Sequence, residues 1–199
     1  MTAAAATRVA VLASGSGSNF QALIDAHVPI ALLVCNVPGV ACLDRAKAAG
    51  IEAVVLDHKA FDSRDAFDDA LINALQTRNI SLVVLAGFMR LLTSRFLAAF
   101  PAAVLNVHPS LLPAFPGVHS ARQALEYGVK LTGCTVHFVD EGTDTGPIIA
   151  QAAVPVLDGD DEARLQARIQ VEEHRLFPAV VAAVAEGRLK LNGRKVVRG

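Results

Sequence analysis

The sequence has few of the features that mark membrane-spanning or nucleic-acid-binding proteins. No apolar run approaches the roughly 18 residues that a membrane-spanning helix requires. The formal net charge is −1 at pH 7, and no long run of either sign disturbs this balance. Because a phosphate backbone is bound by a basic face, the balance argues against nucleic acid as the main ligand. The balance does not exclude a local basic pocket that binds one small anion.

Cysteine and histidine are too scattered to indicate a disulfide framework or a metal site. Cys35, Cys42 and Cys134 show no CxxC spacing, which predicts buried free thiols in a reducing cytoplasm, with a catalytic thiol as the alternative. The six histidines form no HExxH motif, so we expect no metal, and a zinc hydrolase lacks its usual ligands. The alanine-rich start has no preceding positive charge, and the apolar stretch after Arg8 is too short for a signal-peptide core. We therefore expect a cytoplasmic protein.

The order of apolar runs predicts an α/β fold. Short buried runs alternate with helical patterns through the first half, which indicates a Rossmann-like open, mostly parallel twisted sheet with helices on both faces. Later, two strands without a helix between them predict an antiparallel hairpin, followed by a long helix. We expect a single domain over residues 1–199, in which residues 7–108 form the Rossmann-like half. The predicted strands are 8–13, 30–35, 53–56, 82–86, 103–107, 132–139 and 147–156, and the predicted helices are 19–26, 43–49, 63–78, 121–127 and 161–186.

A glycine- and serine-rich loop, residues 14–19, follows the first predicted strand and opens a helix. Backbone N–H groups and the helix dipole favour a phosphate at such a place. A dinucleotide fingerprint would need a third glycine at Phe20 and an acidic residue near Asn36, and neither is present. The loop is therefore suited to a single phosphate, although a turn without a ligand remains an equal alternative.

Asn106 and His108 end the fifth predicted strand, at the edge where open α/β sheets place their ligands. Strand alternation puts both side chains on one face, where an amide and an imidazole can stabilise an oxyanion and transfer a proton. The alternative is a strand-end histidine that a carbonyl satisfies. In the later hairpin loop, Asp144 could orient His108 and raise its pKa, although acidic loop residues are usually turn formers.

Other polar residues are less specific. Gly87 to Arg90 follow the fourth predicted strand and could form one wall of a pocket for a flat ring. Gln170 and Glu173 lie one helical turn apart and share a face, for which solvation is the default interpretation. Arg64 and Arg90, taken singly, are interpreted as surface charges.

These motifs together resemble the phosphoribosylglycinamide formyltransferase family of purine biosynthesis. The resemblance covers nearly the whole chain, and its segments are VLASGSGSNFQAL, FDSRDAF, VVLAGFMRLL, LNVHPSLLPAFPG, GCTVHFVDEGTDTGPIIAQ and EEHRLFP. The Asn-x-His-Pro-Ser-Leu-Leu-Pro run with the later Asp is shared by the wider formyltransferase superfamily, and the GSGSN loop narrows it to members with a phosphoribosyl substrate. The chain departs from the family pattern at Ala121, where a second histidine is common, and at Ala114, where Lys or Ser is common.

The resemblance implies a reaction and a set of roles. It implies transfer of a formyl group from 10-formyltetrahydrofolate, as a co-substrate, to the amine of glycinamide ribonucleotide, without a metal or a tightly bound cofactor. Residues 109–199 would then carry the folate-site loop, the hairpin and the long helix. The implied catalytic residues are Asn106, His108 and Asp144; the implied ribonucleotide-binding residues are Gly17, Ser18, Asn19, Gln170 and Glu173; the implied folate-binding residues are Arg64, Met89, Arg90, Leu91, Leu92, Asn106 and Asp140. A homodimer is compatible with the resemblance.

Three alternative functions would each require features different from those of the implied reaction. A methionyl-tRNA formyltransferase would need a further C-terminal domain and a basic surface, and we expect neither in a chain of this length and charge. A formyltetrahydrofolate deformylase would use water instead of an amine as the acceptor and typically carries an N-terminal regulatory domain. A Rossmann-like binding module without catalysis would explain the early loop but not Asn106, His108 and Asp144 together.

Overall fold

A mixed seven-stranded sheet forms the centre of the protein. The computed structural model describes residues 6–199, so the alanine-rich residues 1–5 and the prediction made on them lie outside it. The strands are β1 (Val9–Ala13), β2 (Ile30–Cys35), β3 (Ala53–Val55), β4 (Leu82–Leu85), β5 (Val104–His108), β6 (Leu131–Phe138) and β7 (Ile148–Pro155). Their order is β3-β2-β1-β4-β5-β6-β7. The first five strands run parallel, and β6 and β7 are antiparallel, which confirms the predicted mostly parallel sheet with a later hairpin.

Helices cover both faces of this sheet. They are α1 (Ser18–Asp25), α2 (Ala41–Ala48), α3 (Arg64–Gln76), α4 (Ser94–Ala99), α5 (Ser120–Tyr127) and α6 (Glu162–Ala185), with a 3-10 turn at His58–Ala60. The sequence did not predict α4. This helix has six residues, begins after a Thr93 hydroxyl cap and buries only Phe96, so it has no apolar periodicity to detect. No helix between residues 6 and 199 combines the length and apolar content that crossing a bilayer requires.

Strand alternation divides the core into two layers. Val9, Val11 and Ala13 of β1 pack with Phe20 of α1 and Phe177 of α6 on one face. On the other face, the alternate β1 residues join a cluster from α3 and α4. Both faces of β1 are fully buried, as expected of a central parallel strand.

The chain ends in a small antiparallel hairpin that the sequence analysis did not predict. Its strands are β8 (Leu189–Asn192) and β9 (Lys195–Arg198), joined by a two-residue turn that begins at Gly193 with φ +59°. Such a turn is itself a hairpin signal. The flanking strands are short and mostly exposed, so the strand pattern around that signal is weak.

The topology places a crevice at the carboxyl ends of β1, β4 and β5. The chain leaves β1 toward β2 on one side, whereas β4 leads to β5 on the other, so the strand order reverses between β1 and β4. Ligands of open α/β sheets bind at such a switch point. The predicted phosphate loop follows β1, the Gly87 segment follows β4, and His108 is the last residue of β5.

Candidate active site

The loop after β1 is built to receive an anion. Gly17 precedes α1 with φ +70° and provides no side-chain cap, so the first turn of the helix is left open to a ligand. A Cβ at Gly17 would lie 2.7 Å from Cys42 Cβ, so only glycine fits here. Arg45 of α2, which the sequence analysis missed, donates from Nε to the Ser16 carbonyl at 2.8 Å. Its guanidinium therefore adds a positive charge beside the loop.

Helix α6 closes this loop into a cavity of about 300 Å³. Gln170 Nε2 donates to Ser18 Oγ at 2.7 Å, and Asn19 Nδ2 donates to Glu173 Oε2 at 3.0 Å. The structure therefore brings the predicted loop and the predicted helical pair together across about 150 residues of chain. Asn19 Oδ1 is buried and has no hydrogen-bond partner within the described part of the chain, which leaves an acceptor for a ligand.

Glu173 is a buried carboxyl group, only 4% exposed. Burial raises its pKa, and the hydrogen bond from Asn19 offsets only part of that effect. A carboxyl group with a raised pKa can retain a proton and donate a hydrogen bond. The residue is therefore part of a built polar site rather than a solvated helix face.

The segment after β4 forms the opposite wall of the crevice. The Met89 N–H donates to Ser14 Oγ at 2.8 Å, and Ser14 Oγ donates in turn to Asn36 Oδ1 at 2.6 Å. Ser14 thus ties this wall to the phosphate loop, a role that the sequence analysis did not identify. Met89 and Leu91 are 72% and 60% exposed, so they present open apolar surface.

Arg64 and Arg90 support this wall in different ways. Arg64 Nη2 donates to the Leu91 carbonyl at 2.9 Å. The Arg90 guanidinium lies over the Phe67 ring, 5.2 Å from its centroid, a cation–π contact. Leu92 packs against the apolar cluster under the wall. Arg64, Arg90 and Leu92 thus lie along the wall or beneath it.

The strand-end residues converge with the hairpin loop on Asp144. His108 Nδ1 lies 3.3 Å from Asp144 Oδ2, and Asn106 Nδ2 lies 3.5 Å from Asp144 Oδ1. Val107 and Pro109, the neighbours of His108, line the same cavity as the phosphate loop. The contact that the sequence could only suggest is therefore present, and it lies beside the anion site.

His137 is a fourth member of this cluster, and the sequence analysis missed it. It pairs with Asn106 in the β5–β6 register, and Asn106 Nδ2 lies 3.2 Å from His137 Nε2. His137 Nδ1 lies 2.8 Å from the Phe138 carbonyl, which accepts a hydrogen bond from it. The Asn106 amide thus contacts the His137 ring on one side and Asp144 on the other. Strand pairing of His137 with Asn106 is the signal that could have found it.

Asp144 raises the pKa of His108 as predicted, but the net pKa is lowered. Burial lowers its pKa below the ordinary value of 6.5, although the Phe115 carbonyl and the Asp144 carboxylate act in the opposite direction. The cost of taking an imidazolium out of water exceeds the stabilisation that the carboxylate provides. His108 Nε2 lies 2.9 Å from the Phe115 carbonyl, so both ring nitrogens face oxygen acceptors. Only the protonated ring donates to both.

Asp144 is held in its place by backbone as well as by side chains. The Gly117 N–H donates to its Oδ2 at 2.8 Å, and the residue itself has φ +54°. Burial raises the pKa of Asp144, but the neighbouring imidazoles and the Gly117 N–H outweigh it and hold the pKa below its usual range. Asp144 is therefore a carboxylate at neutral pH.

Asp140, predicted at the folate site, organises the same loop. Its Oδ1 accepts from Thr145 Oγ1 at 2.6 Å and from the Gly142 N–H at 3.2 Å. These are the bonds of a turn former. Ala121, one departure from the family pattern, lies buried in an apolar cluster under α5 and α6.

Thiol chemistry is disfavoured at the cysteines. All three are buried and free, as predicted, and burial raises the pKa of Cys42 and of Cys134 to about 12. Both are protonated at neutral pH and cannot act as ready nucleophiles. Within residues 6–199, no three His, Cys, Asp or Glu side chains are arranged to hold a metal ion.

Comparisons with known proteins show which family this chain resembles. A sequence profile of the family described as formyl transferase matches residues 7–181. The chain is 49% identical over 206 residues to phosphoribosylglycinamide formyltransferase of Mycobacterium tuberculosis, with 98% of this chain and 95% of that protein covered. It is 50% identical to the trifunctional purine biosynthetic protein adenosine-3 of Drosophila melanogaster over 90% of this chain, but it spans only 14% of that protein.

Solved structures show the same fold. The crystal structure of glycinamide ribonucleotide transformylase 1 from Symbiobacterium toebii superposes with a TM-score of 0.94 at 50% identity, covering 97% of this chain and 94% of that one. Identity and coverage of this size, together with the profile match, exceed what a shared fold alone would give. The chain therefore belongs to the formyl transferase family.

Proposed function

We propose that this protein transfers the formyl group of 10-formyltetrahydrofolate to the glycinamide amine of 5′-phosphoribosylglycinamide, in de novo purine biosynthesis. The products are the N-formylglycinamide ribonucleotide and tetrahydrofolate. The observation that carries the proposal is the cluster of Asn106, His108 and Asp144 beside an anion-binding helix terminus, whose cavity is lined by Val107 and Pro109, the neighbours of His108. The names of the similar proteins agree with this reaction.

The ribonucleotide occupies the cavity between α1 and α6 in this proposal. Gly17, Ser18 and Asn19 hold its phosphate through backbone N–H groups at the start of α1, with Arg45 adding charge behind the loop. Gln170 and Glu173 contact the sugar or the glycinamide part, where their bonds to Ser18 and Asn19 already fix them. The buried free acceptor of Asn19 supports a ligand that donates hydrogen bonds there.

The folate occupies the wall after β4. The exposed apolar side chains of Met89 and Leu91 cover the flat ring of the folate. Backbone groups of the segment after β4 form hydrogen bonds with the edge of that ring. Arg64 holds the Leu91 carbonyl, so it shapes this wall as well as lying on the folate side. Arg90 and Leu92 act from beneath, through Phe67 and the core, and Asp140 shapes the neighbouring loop.

The chemical step needs only groups present in this cluster. The neutral amine attacks the formyl carbon and forms a tetrahedral intermediate with a negatively charged oxygen. Asn106 and protonated His108 donate hydrogen bonds to that oxygen, and one such donor is worth about 3–4 kcal/mol in comparable sites. The C–N bond to N10 then breaks, the former amine loses one proton, and N10 gains one. Asp144 passes this proton, through water, from one nitrogen to the other.

The lowered pKa of His108 is compatible with this step. In the free protein, burial favours the neutral ring. The developing oxyanion adds a second negative charge next to the imidazole, which raises the pKa of His108 during the reaction. Asp144 lies 3.3 Å from Nδ1 and raises it further. The imidazolium is thus stabilised more in the transition state than in the free protein, which is the condition for catalysis.

We further propose that the chain acts as a single domain in the cytoplasm, with small molecules as its substrates. Residues 7–108 supply the phosphate loop and the strand-end residues, and residues 109–199 supply the Asp144 loop and α6. Neither a metal nor a tightly bound cofactor takes part in the proposed step.

The proposal is tested by measuring formyl transfer from 10-formyltetrahydrofolate, or from a deaza analogue that absorbs on release, with and without the ribonucleotide. Transfer that requires the ribonucleotide supports the proposal. Release of formate without the ribonucleotide would indicate a deformylase. No reaction in either mixture would indicate a binding module without catalysis. His108→Asn, which removes the imidazole and retains a small polar group, serves as the inactive control.

A further inference from the structure

The C-terminal hairpin reaches the loop that carries Asp144. Arg194, in the turn between β8 and β9, donates from Nη2 to the Thr145 carbonyl at 2.6 Å. We propose that Arg194 is a positioning residue that holds the loop over residues 140–146 so that Asp144 stays against His108. This inference rests on the proposed function for the role of Asp144, and the hairpin lies beyond residue 181, where the family profile ends.

The loop benefits from such a support because of the backbone conformation of Asp144. Asp144 has φ +54°, a backbone region that residues other than glycine rarely adopt and keep only when their surroundings hold them. Thr145 Oγ1 is bonded to Asp140 Oδ1, inside the loop itself. Arg194 therefore fixes the main chain of the residue that directly follows Asp144, from outside the loop.

A close approach at the end of the loop makes this contact effective. A Cβ at Gly146 would overlap the Phe138 carbonyl, so the chain is pinned against β6 immediately after Thr145. With Gly146 pinned and Thr145 held by Arg194, the backbone of Asp144 has little freedom to turn away from His108. Loss of the guanidinium would leave the loop held mainly at the carboxylate of Asp144, by the Gly117 N–H, the Asn106 amide and the two imidazoles.

The hairpin is a firm base for this contact. Val196 of β9 packs against the main core cluster. At the open end of the hairpin, the Gly199 N–H donates to the Arg188 carbonyl at 2.9 Å. The turn that carries Arg194 is thus fixed through its strands, and the planar guanidinium donates in a defined direction.

The experiment compares Arg194→Ala with Arg188→Ala, a control at the residue just before β8, whose side chain pairs with Glu186. Amide hydrogen exchange of residues 140–146 should become faster in Arg194→Ala only. Turnover should fall about three- to tenfold in Arg194→Ala, the size of one lost hydrogen bond. The KM for the ribonucleotide should stay within about twofold of the wild-type value, because its proposed cavity is built from α1 and α6.

An Asp144→Asn background separates positioning from a general structural effect. If Arg194 acts through Asp144, adding Arg194→Ala to Asp144→Asn should cost almost no further turnover, because the two changes share one mechanism. An equal loss in both backgrounds would overturn the inference, as would wild-type turnover and wild-type loop exchange in Arg194→Ala. A wild-type protein that transfers no formyl group would refute the proposed function instead, and the exchange comparison would still decide whether Arg194 holds the loop.

Discussion

Replacing Gly17 by alanine tests whether the phosphate loop depends on glycine for its shape. Gly17 has φ +70°, and a Cβ there would lie 2.7 Å from Cys42 Cβ and 3.1 Å from Cys42 Cα. Cys42 is fully buried at the start of α2, so neither atom can rotate away. The new methyl group must therefore push α2 away from α1 or distort the loop.

Two costs set the expected size of the effect. An L-residue in the left-handed region costs about 1–2 kcal/mol, and overpacking a core costs about 1–3 kcal/mol. Their sum, about 2–5 kcal/mol, should lower the melting temperature by roughly 4–20 °C in a domain of this size. The affinity for inorganic phosphate or the ribonucleotide should fall as well, since the distortion falls on the first turn of α1.

Gly15→Ala is the matched control. Gly15 lies two residues earlier in the same loop, its φ is not positive, and no atom lies within 4 Å of the place where its new methyl group would sit. We expect its free energy of unfolding to stay within about 1 kcal/mol of wild type. Thermal and urea unfolding of both variants measure the difference. A Gly17→Ala protein that melts within about 2 °C of Gly15→Ala would refute the steric argument.

Three further predictions concern the charged and polar groups of the site. Asn106→Ala should lower kcat about 10²- to 10³-fold with little change in KM for the ribonucleotide, and a smaller loss of kcat would remove Asn106 as an oxyanion donor. NMR titration should place the pKa of His108 below 6.5, and Asp144→Asn should lower it further by removing a carboxylate that raises it; an upward shift would contradict this assignment. Glu173 has a pKa raised above 4.5, so its contribution to stability is complete below pH 4.5 and is lost as pH rises through the folded-state value. Glu173→Gln should therefore melt above wild type at pH 8, and a lower melting temperature there would show that burial of the charge is not the dominant cost.

The central sheet could be predicted from the sequence because its strands are short buried runs. The parallel strands and the β6–β7 hairpin follow from the order of these runs and from the helical patterns between them. The two elements that were missed carry little apolar signal. Helix α4 buries one side chain, Phe96, and the strands β8 and β9 are mostly exposed. These elements are stabilised by the surface on which they pack, and the local sequence pattern does not show that surface.

The candidate site was predictable to the extent that the sheet positions it. The convergence of Asn106 with His108 follows from strand alternation, and their place at the crevice follows from the sheet edge. The residues alone did not decide between a functional site and a purely structural one, and the catalytic and binding roles came from the family resemblance. The bonds of Gln170 and Glu173 to the loop cross about 150 residues of chain, and no local pattern predicts such contacts. The effect of Asp144 on the pKa of His108 was predictable, but the larger, opposite effect of burial was not, because burial depends on packing.

The catalytic cluster spans the place where the sheet changes from parallel to antiparallel, and this has a consequence for its chemistry. Asn106 and His108 lie on β5, inside the sheet, and His137 on β6 contacts the amide of Asn106. Asp144 comes from the loop between the antiparallel strands, where the Gly117 N–H contacts its carboxylate and Arg194 contacts the next residue along the chain. The oxyanion donors therefore lie on strands, whereas the carboxylate that favours the charged ring lies on a loop. Because burial lowers the pKa of His108 and Asp144 raises it, any displacement of this loop lowers that pKa further. The charge of His108, and with it the oxyanion stabilisation, is thus set by the position of the loop.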